Sequence, residues 1–240
     1  FTDEGKAIGA AGSEGPTIFL NPQTWAVLAS LAPKKTLEGY MDEVEKRLRC
    51  PFGYCLCNPS FTKGDDTIGR ISYFKPGLVE NGSVYNHGVA FKMVADCLLG
   101  RGDKAYETYR MIRFDNPENP DNGMEPYAWS NMFVGPEDKN LAGYAPMSWI
   151  TGTAGWIYRA LTQYLFGIRP TLDGLLIDPV LPSSWQEATA TRRYKGTLYH
   201  FHFVKGTETK ILENGRVIPG GLLVPDGRKE RFVEVIFMAK

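Results

Sequence analysis

The hydrophobic pattern of this 240-residue chain changes period near Leu172, and that change limits what the chain can fold into. Before it, apolar residues recur at three- and four-residue intervals. In TLEGYMDEVEKRL, Leu37, Met41, Val44 and Leu48 form one apolar stripe, as an amphipathic helix requires, and Thr36 reads as its cap. Asn21-Pro22 reads as an N-cap and a first-turn proline, opening a helix through QTWAVLASLA. Further helices are expected near Gly88 to Leu99, near Lys104 to Ile112, and from Thr153 to Gly167. After Leu172 the period becomes two. TRRYKGTLYHFHFVK alternates polar and apolar, Asn214-Gly215 signals a hairpin, and RFVEVIFMAK reads as a closing strand. The expected fold is mixed α and β: part of a helical barrel or toroid over residues 1–171, then a β-sandwich over residues 172–240.

Two long loops interrupt the helical part. One follows Leu48, and the other runs from Phe114 to about Trp149. Loops longer than ~12–15 residues inside a compact domain are functional or disordered. The second holds Tyr127, Trp129 and Tyr144, which argues for order and function.

Charge and cysteine usage exclude several classes of function. Lys+Arg and Asp+Glu are both 27, so no basic field attracts nucleic acid or anionic lipid. No apolar run reaches the ~18–20 residues of a membrane span, and no signal peptide is read. Cys50, Cys55, Cys57 and Cys97 have neither zinc-site nor disulfide-frame spacing. They read as reduced thiols of a cytoplasmic protein. The chain opens on Phe1 and reads as a piece of something longer.

Three segments carry candidate chemistry. In ENGSVYNHG, Glu80 and His87 bracket a turn that enters a helix. A helix N-terminus offers free N–H groups and a positive dipole end, so a protonated His87 there suits phosphate. The alternative is that Asn86 caps the helix and His87 is a surface residue. In SWITGTAGW, Thr151, Gly152 and Thr153 offer hydroxyls and open backbone at a helix start, between Trp149 and Trp156. These indoles are either walls for a sugar face or core. In GMEPYAWSN, Glu125, Tyr127, Trp129 and Asn131 combine aromatic planes with a carboxylate and an amide, as sugar sites do. Glu125 also reads as a buried loop anchor. His200 and His202 share one strand face but lack an evident third ligand, so no metal site is expected.

Together with LFGIRPTLDGLLIDPVLPSSW, these segments resemble the C-terminal part of the cellobiose phosphorylase family, over most of residues 17 to 205. That family consists of inverting phosphorylases of β-linked disaccharides. The resemblance implies the last part of an (α/α)6 barrel followed by a jelly-roll-like C-terminal β-domain. It implies phosphate binding by His87, Thr151 and Gly152, and a sugar-side role for Glu80. Asn131 stands where many relatives carry a glutamine near the donor glucose. Val79 departs from the lysine that some cellobiose phosphorylases carry there. The family's general acid is an aspartate in a DWND-like segment. No such segment occurs in these residues, so the acid is expected upstream, with one phosphate-binding arginine.

The implied reaction cleaves a β-glucosyl disaccharide with inorganic phosphate, giving α-glucose 1-phosphate and the acceptor sugar. Phosphate is a co-substrate, and no metal or organic cofactor is implied. The complete enzyme is expected to be a homodimer acting on small molecules. Arg70 and Lys75, in the loop before Glu80, suggest an acidic acceptor such as gluconate, and so a cellobionic acid phosphorylase. Two alternatives stand beside this. One is a glycoside hydrolase on the same barrel, which needs a second carboxylate to activate water. The other is a non-catalytic carbohydrate-binding fragment.

Overall fold

The computed structural model describes residues 1–2 and 4–239. The fold is mixed α and β. Its helices are α1 (Leu20–Leu28), α2 (Lys34–Leu48), α3 (Asn86–Leu99), α4 (Gly102–Met111) and α5 (Thr153–Arg159). Short strands lie among them: β1 (Ile18–Phe19), β2 (Arg49–Cys50), β3 (Gly53–Tyr54), β4 (Cys57–Asn58), β5 (Val84–Tyr85), β6 (Ser130–Phe133) and β7 (Met147–Ser148). After α5 come β8 (Ile168–Pro170), β9 (Leu175–Ile177), β10 (Glu187–Tyr194), β11 (Thr197–Lys205), β12 (Lys210–Glu213), β13 (Arg216–Val217), β14 (Leu222–Leu223) and β15 (Glu230–Phe237).

By contacts the chain forms two compact units. One comprises Phe1–Ala95 and Glu107–Ile157, and the other Asp96–Tyr106 with the chain from Tyr158 on.

In the first unit, the α2 stripe is buried as its spacing requires: Leu37, Met41, Val44 and Leu48 are all core residues. The helix starts at Lys34, ahead of Thr36. The Pro33 carbonyl accepts from the Thr36 and Leu37 amides, so the cap is backbone. Likewise α1 begins at Leu20, with Phe19 as N-cap, and takes Asn21 and Pro22 inside its first turn. Proline is tolerated there because the first amides of a helix have no intrahelical partner. The core also holds a buried cation. Lys92 Nζ donates to Glu45 Oε1 at 2.6 Å and Thr108 Oγ1 at 2.8 Å, and lies 4.0 Å from the Tyr54 ring centroid. The Tyr54 hydroxyl donates to the Glu45 carboxylate. Burial pushes that phenol up to about 12.

The second unit carries a five-stranded sheet of order β10-β11-β15-β12-β13, in which only β11 and β15 run parallel. Tyr199, Phe201 and Phe203 of β11 and Val233, Val235 and Phe237 of β15 bury one face. The expected hairpin at Asn214-Gly215 joins β12 to β13, with both turn residues at positive φ. A second sheet has order β14-β9-β8. On the strand faces, His202 pairs with Glu187 at 2.6 Å, and His200 stacks on Phe232 at 4.6 Å. The helix expected from Thr153 to Gly167 changes character on the way. After Arg159 it continues as a π-helical stretch, Ala160–Leu165, whose widened turn closes through Phe166 N to Leu161 O at 2.8 Å.

Candidate functional site

The three segments singled out by sequence meet in one small sheet of order β5-β6-β7. Val84 and Tyr85 pair with Phe133 and Met132, while Ser130 and Met132 pair with Ser148 and Met147. Each outer strand hands the chain to a functional element. β5 runs directly into α3, whose second residue is His87. β7 runs into the Thr151–Gly152 knot that opens α5. The sheet therefore sets the start of α3 beside the start of α5.

The contact between the two is close. A Cβ built on Gly152 would lie 2.7 Å from His87 Cε1 and 3.0 Å from Nε2, so only a bare backbone fits over the imidazole. Beside it, the Thr153 amide donates to Thr151 Oγ1 at 3.0 Å, and the two hydroxyls lie 2.7 Å apart. This places an oxygen on the first turn of α5, as an ST-turn does. The approach to the knot is strained. Trp149 has φ +70°, and the Ile150 amide donates to the Ser148 carbonyl at 2.8 Å across it. That is a tight γ-turn with a bulky residue in the left-handed region. Trp149 is 73% exposed, so it is not core.

Trp156, the other flanking indole, is half-buried. It packs against Phe91 (4.7 Å), Trp25 (6.4 Å) and His87 (6.3 Å), with Phe91 also 5.0 Å from His87. This aromatic wall desolvates the imidazole and pushes its pKa below the usual histidine range. His87 Nε2 is buried with no hydrogen-bond partner.

Two amides tie the elements together. Asn86 does not cap α3 with its side chain. Its Nδ2 donates to the Ser130 carbonyl at 3.2 Å. Asn131 Nδ2 donates to the Ile150 carbonyl at 3.3 Å, just before the knot. In both, Oδ1 is buried without a partner, as is Oδ1 of Asn21, which faces Gly88. A ring N–H of His87, the hydroxyls of the knot and the open backbone at the start of α5 can offer donors to a small oxyanion.

Residues 1–167 match the family model for the catalytic domain of the glycosyl hydrolase 94 superfamily. The chain belongs to that superfamily. It is 41% identical over 201 residues to a solabiose phosphorylase of Paenibacillus borealis, covering 83% of this chain and 26% of that protein. It is 35% identical over 230 residues to an N,N'-diacetylchitobiose phosphorylase of Vibrio proteolyticus, covering 91% and 28%. It is 30% identical over 226 residues to a cellobionic acid phosphorylase of Neurospora crassa, again covering 91% and 28%. The chain thus spans little more than a quarter of the length of these relatives.

The remaining residues of this glycosyl hydrolase 94 chain are placed as follows. Glu80 is half-buried, and its carbonyl accepts a weak bond from Cys57 Sγ at 3.8 Å. Its loop is fixed by Asn81, which sequence reasoning passed over. Fully buried, Asn81 accepts from the Phe61 amide at 2.7 Å and donates to the Phe61 and Phe74 carbonyls. Val79, beside Glu80, has φ +52°, unusual for a β-branched residue. Lys75 does not pair with Asp65 or Asp66. It donates to the buried Asp138 at 2.7 Å. Arg70 is exposed and lies over the Phe74 ring at 5.1 Å. Glu125 is exposed rather than buried. Hydrogen bonds from Ser148, its own backbone and Trp149 hold its carboxyl below the usual range. Among the described residues no group of three or more His, Cys, Asp and Glu is arranged to hold a metal, and no helix is long and apolar enough to cross a membrane.

Proposed function

We propose that this chain is part of an inverting glycoside phosphorylase that cleaves a β-linked glucosyl disaccharide with inorganic phosphate, yielding α-glucose 1-phosphate and the acceptor. The observation that carries the reading is the close stacking of the Gly152 backbone on His87, with Thr151 alongside. The names of the relatives support it. Residues 1–171 form the last part of an (α/α)6 barrel in this reading, and residues 172–240 a jelly-roll-like domain.

Phosphate takes the place that water holds in an inverting hydrolase, so no protein base is needed. The seat has to hold a dianion in line with the bond that breaks. The Thr151 hydroxyl, the open backbone at Gly152 and one ring N–H of His87 supply donors that need no reorganisation. The His87 imidazole donates one hydrogen bond there, and a bound dianion favours its further protonation. Glu80 lies on the sugar side. Asn131, tied to the backbone before the knot, stands where donor sugar and phosphate meet. The general acid comes from a part of the protein outside these residues.

The test is turnover by the complete enzyme with and without phosphate. Turnover that requires phosphate and yields α-glucose 1-phosphate supports the reading. Undiminished cleavage without phosphate supports a hydrolase instead.

A further inference from the structure

We propose that Cys50 and Cys55 form a peroxide-reactive dithiol: the Cys50 sulfur attacks a small hydroperoxide, and Cys55 closes the disulfide. This goes beyond the phosphorylase reading and does not depend on it.

The stretch CPFGYC sets the two thiols on either side of a short turn. β2 and β3 pair antiparallel, with Arg49 opposite Tyr54 and Cys50 opposite Gly53. The Cys55 amide continues the pairing by donating to the Leu48 carbonyl at 2.8 Å. Side chains alternate between the faces of a strand, so Cys50, Gly53 and Cys55 share one side of the hairpin. Gly53, between the two cysteines on that side, puts no side chain there. A Cβ on it would lie 2.6 Å from Val84 Cγ1.

The thiols are in hydrogen-bond contact. The Cys55 S–H donates to the Cys50 sulfur, and the Phe52 and Gly53 amides donate to the same sulfur from the turn. Donors gathered around one sulfur favour its thiolate, and they hold Cys50 below the ordinary cysteine range against the opposing effect of burial. Giving its hydrogen to that bond, together with burial, pushes the Cys55 thiol up. Of the four cysteines, Cys50 alone is not buried. Cys57 shows the contrast. Its buried Sγ donates to the Glu80 carbonyl at 3.8 Å, and burial pushes its pKa up to about 12.

A thiolate at Cys50 attacks the terminal oxygen of a hydroperoxide. The S–O bond forms as the O–O bond breaks. Sulfur is oxidised, the peroxide is reduced, and the departing hydroxide or alkoxide takes a proton from water. The Cys55 sulfur then attacks the sulfenic sulfur of Cys50. The S–S bond forms, and the hydroxyl leaves with the Cys55 proton as water.

The experiment treats the complete protein with hydrogen peroxide, alkylates the remaining thiols, and digests the denatured chain with chymotrypsin. Cleavage after Phe52 and Tyr54 leaves Cys50 and Cys55 on separate peptides that only a disulfide joins. Wild type should yield that linked pair, released by dithiothreitol, and should lose the Cys50 thiol about tenfold faster than the Cys57 thiol, or more. Cys55→Ser should accumulate a Cys50 sulfenic acid that dimedone captures, and Cys50→Ser should keep Cys55 reduced at the same dose. The wild-type map needs no variant. A Cys50 thiol that survives peroxide, Cys57 or Cys97 oxidised as fast as Cys50, or Cys50 oxidised to the sulfinic acid while Cys55 stays reduced, overturns the proposal.

Discussion

The Cα of Gly152 packs on the ring of His87 so closely that a side chain at that position would start 2.7 Å from Cε1. Gly152 is itself exposed. A substitution there therefore affects the ring and the knot rather than the core. Gly152→Val should abolish phosphorolysis while leaving the helix signal in circular dichroism unchanged. Retained turnover, or gross loss of helix, counts against this.

The His87 imidazole gives a pH dependence with a definite sign. Burial against Phe91 and Trp156 lowers its pKa in the folded protein. Below the ordinary histidine value of about 6.5, the unfolded chain takes up a proton that the folded chain resists. Stability should fall as pH drops through that value, until the lower folded pKa is passed. His87→Gln should flatten this part of the profile. Denaturant midpoints from about pH 7.5 to about 5, bracketing the ordinary value, check it in both proteins. Parallel profiles would refute it.

Lys92 is fully buried, and its removal takes the cation from the Glu45 carboxylate beside Tyr54. Breaking a buried pair from one side costs about 3–5 kcal/mol. Lys92→Ala should lower unfolding free energy by that order. A loss below about 1 kcal/mol would show that the pair contributes little net stability.

The two cations before Glu80 should behave differently. Lys75 is engaged by Asp138, whereas Arg70 is exposed over Phe74. If the acceptor is an aldonic acid, Arg70→Ala should shift the gluconate-to-glucose ratio in synthesis from α-glucose 1-phosphate. Lys75→Ala should leave that ratio alone. A ratio indifferent to Arg70 speaks against an acidic acceptor.

Features with local causes were legible in the sequence. The stripe from Leu37 to Leu48 follows from helical period alone, and the Asn214-Gly215 hairpin from the positive φ that those residues accept. His87 and the Thr151–Gly152 knot could each be picked out, since hydroxyls and glycine at helix starts have a local logic. Their meeting could not. It depends on two- to four-residue strands too short to show a period, pairing segments far apart in the chain. The same distance hid the pairing of Lys75 with Asp138, and the lowered pKa of His87, against which Trp156 arrives from another helix. Asn86 and Asn21 misled as caps. One reaches across to Ser130, and the other sits inside the first turn it was expected to open.

His87 and the knot, in this reading, form a seat for phosphate rather than for sugar. The most direct measurement is the pair of KM values, for phosphate and for disaccharide, in His87→Ala of the complete enzyme. Loss of one hydrogen bond to an anion should raise the phosphate KM about tenfold or more, and change the disaccharide KM far less. A phosphate KM within about twofold of wild type, at normal turnover, would contradict a phosphate seat at His87.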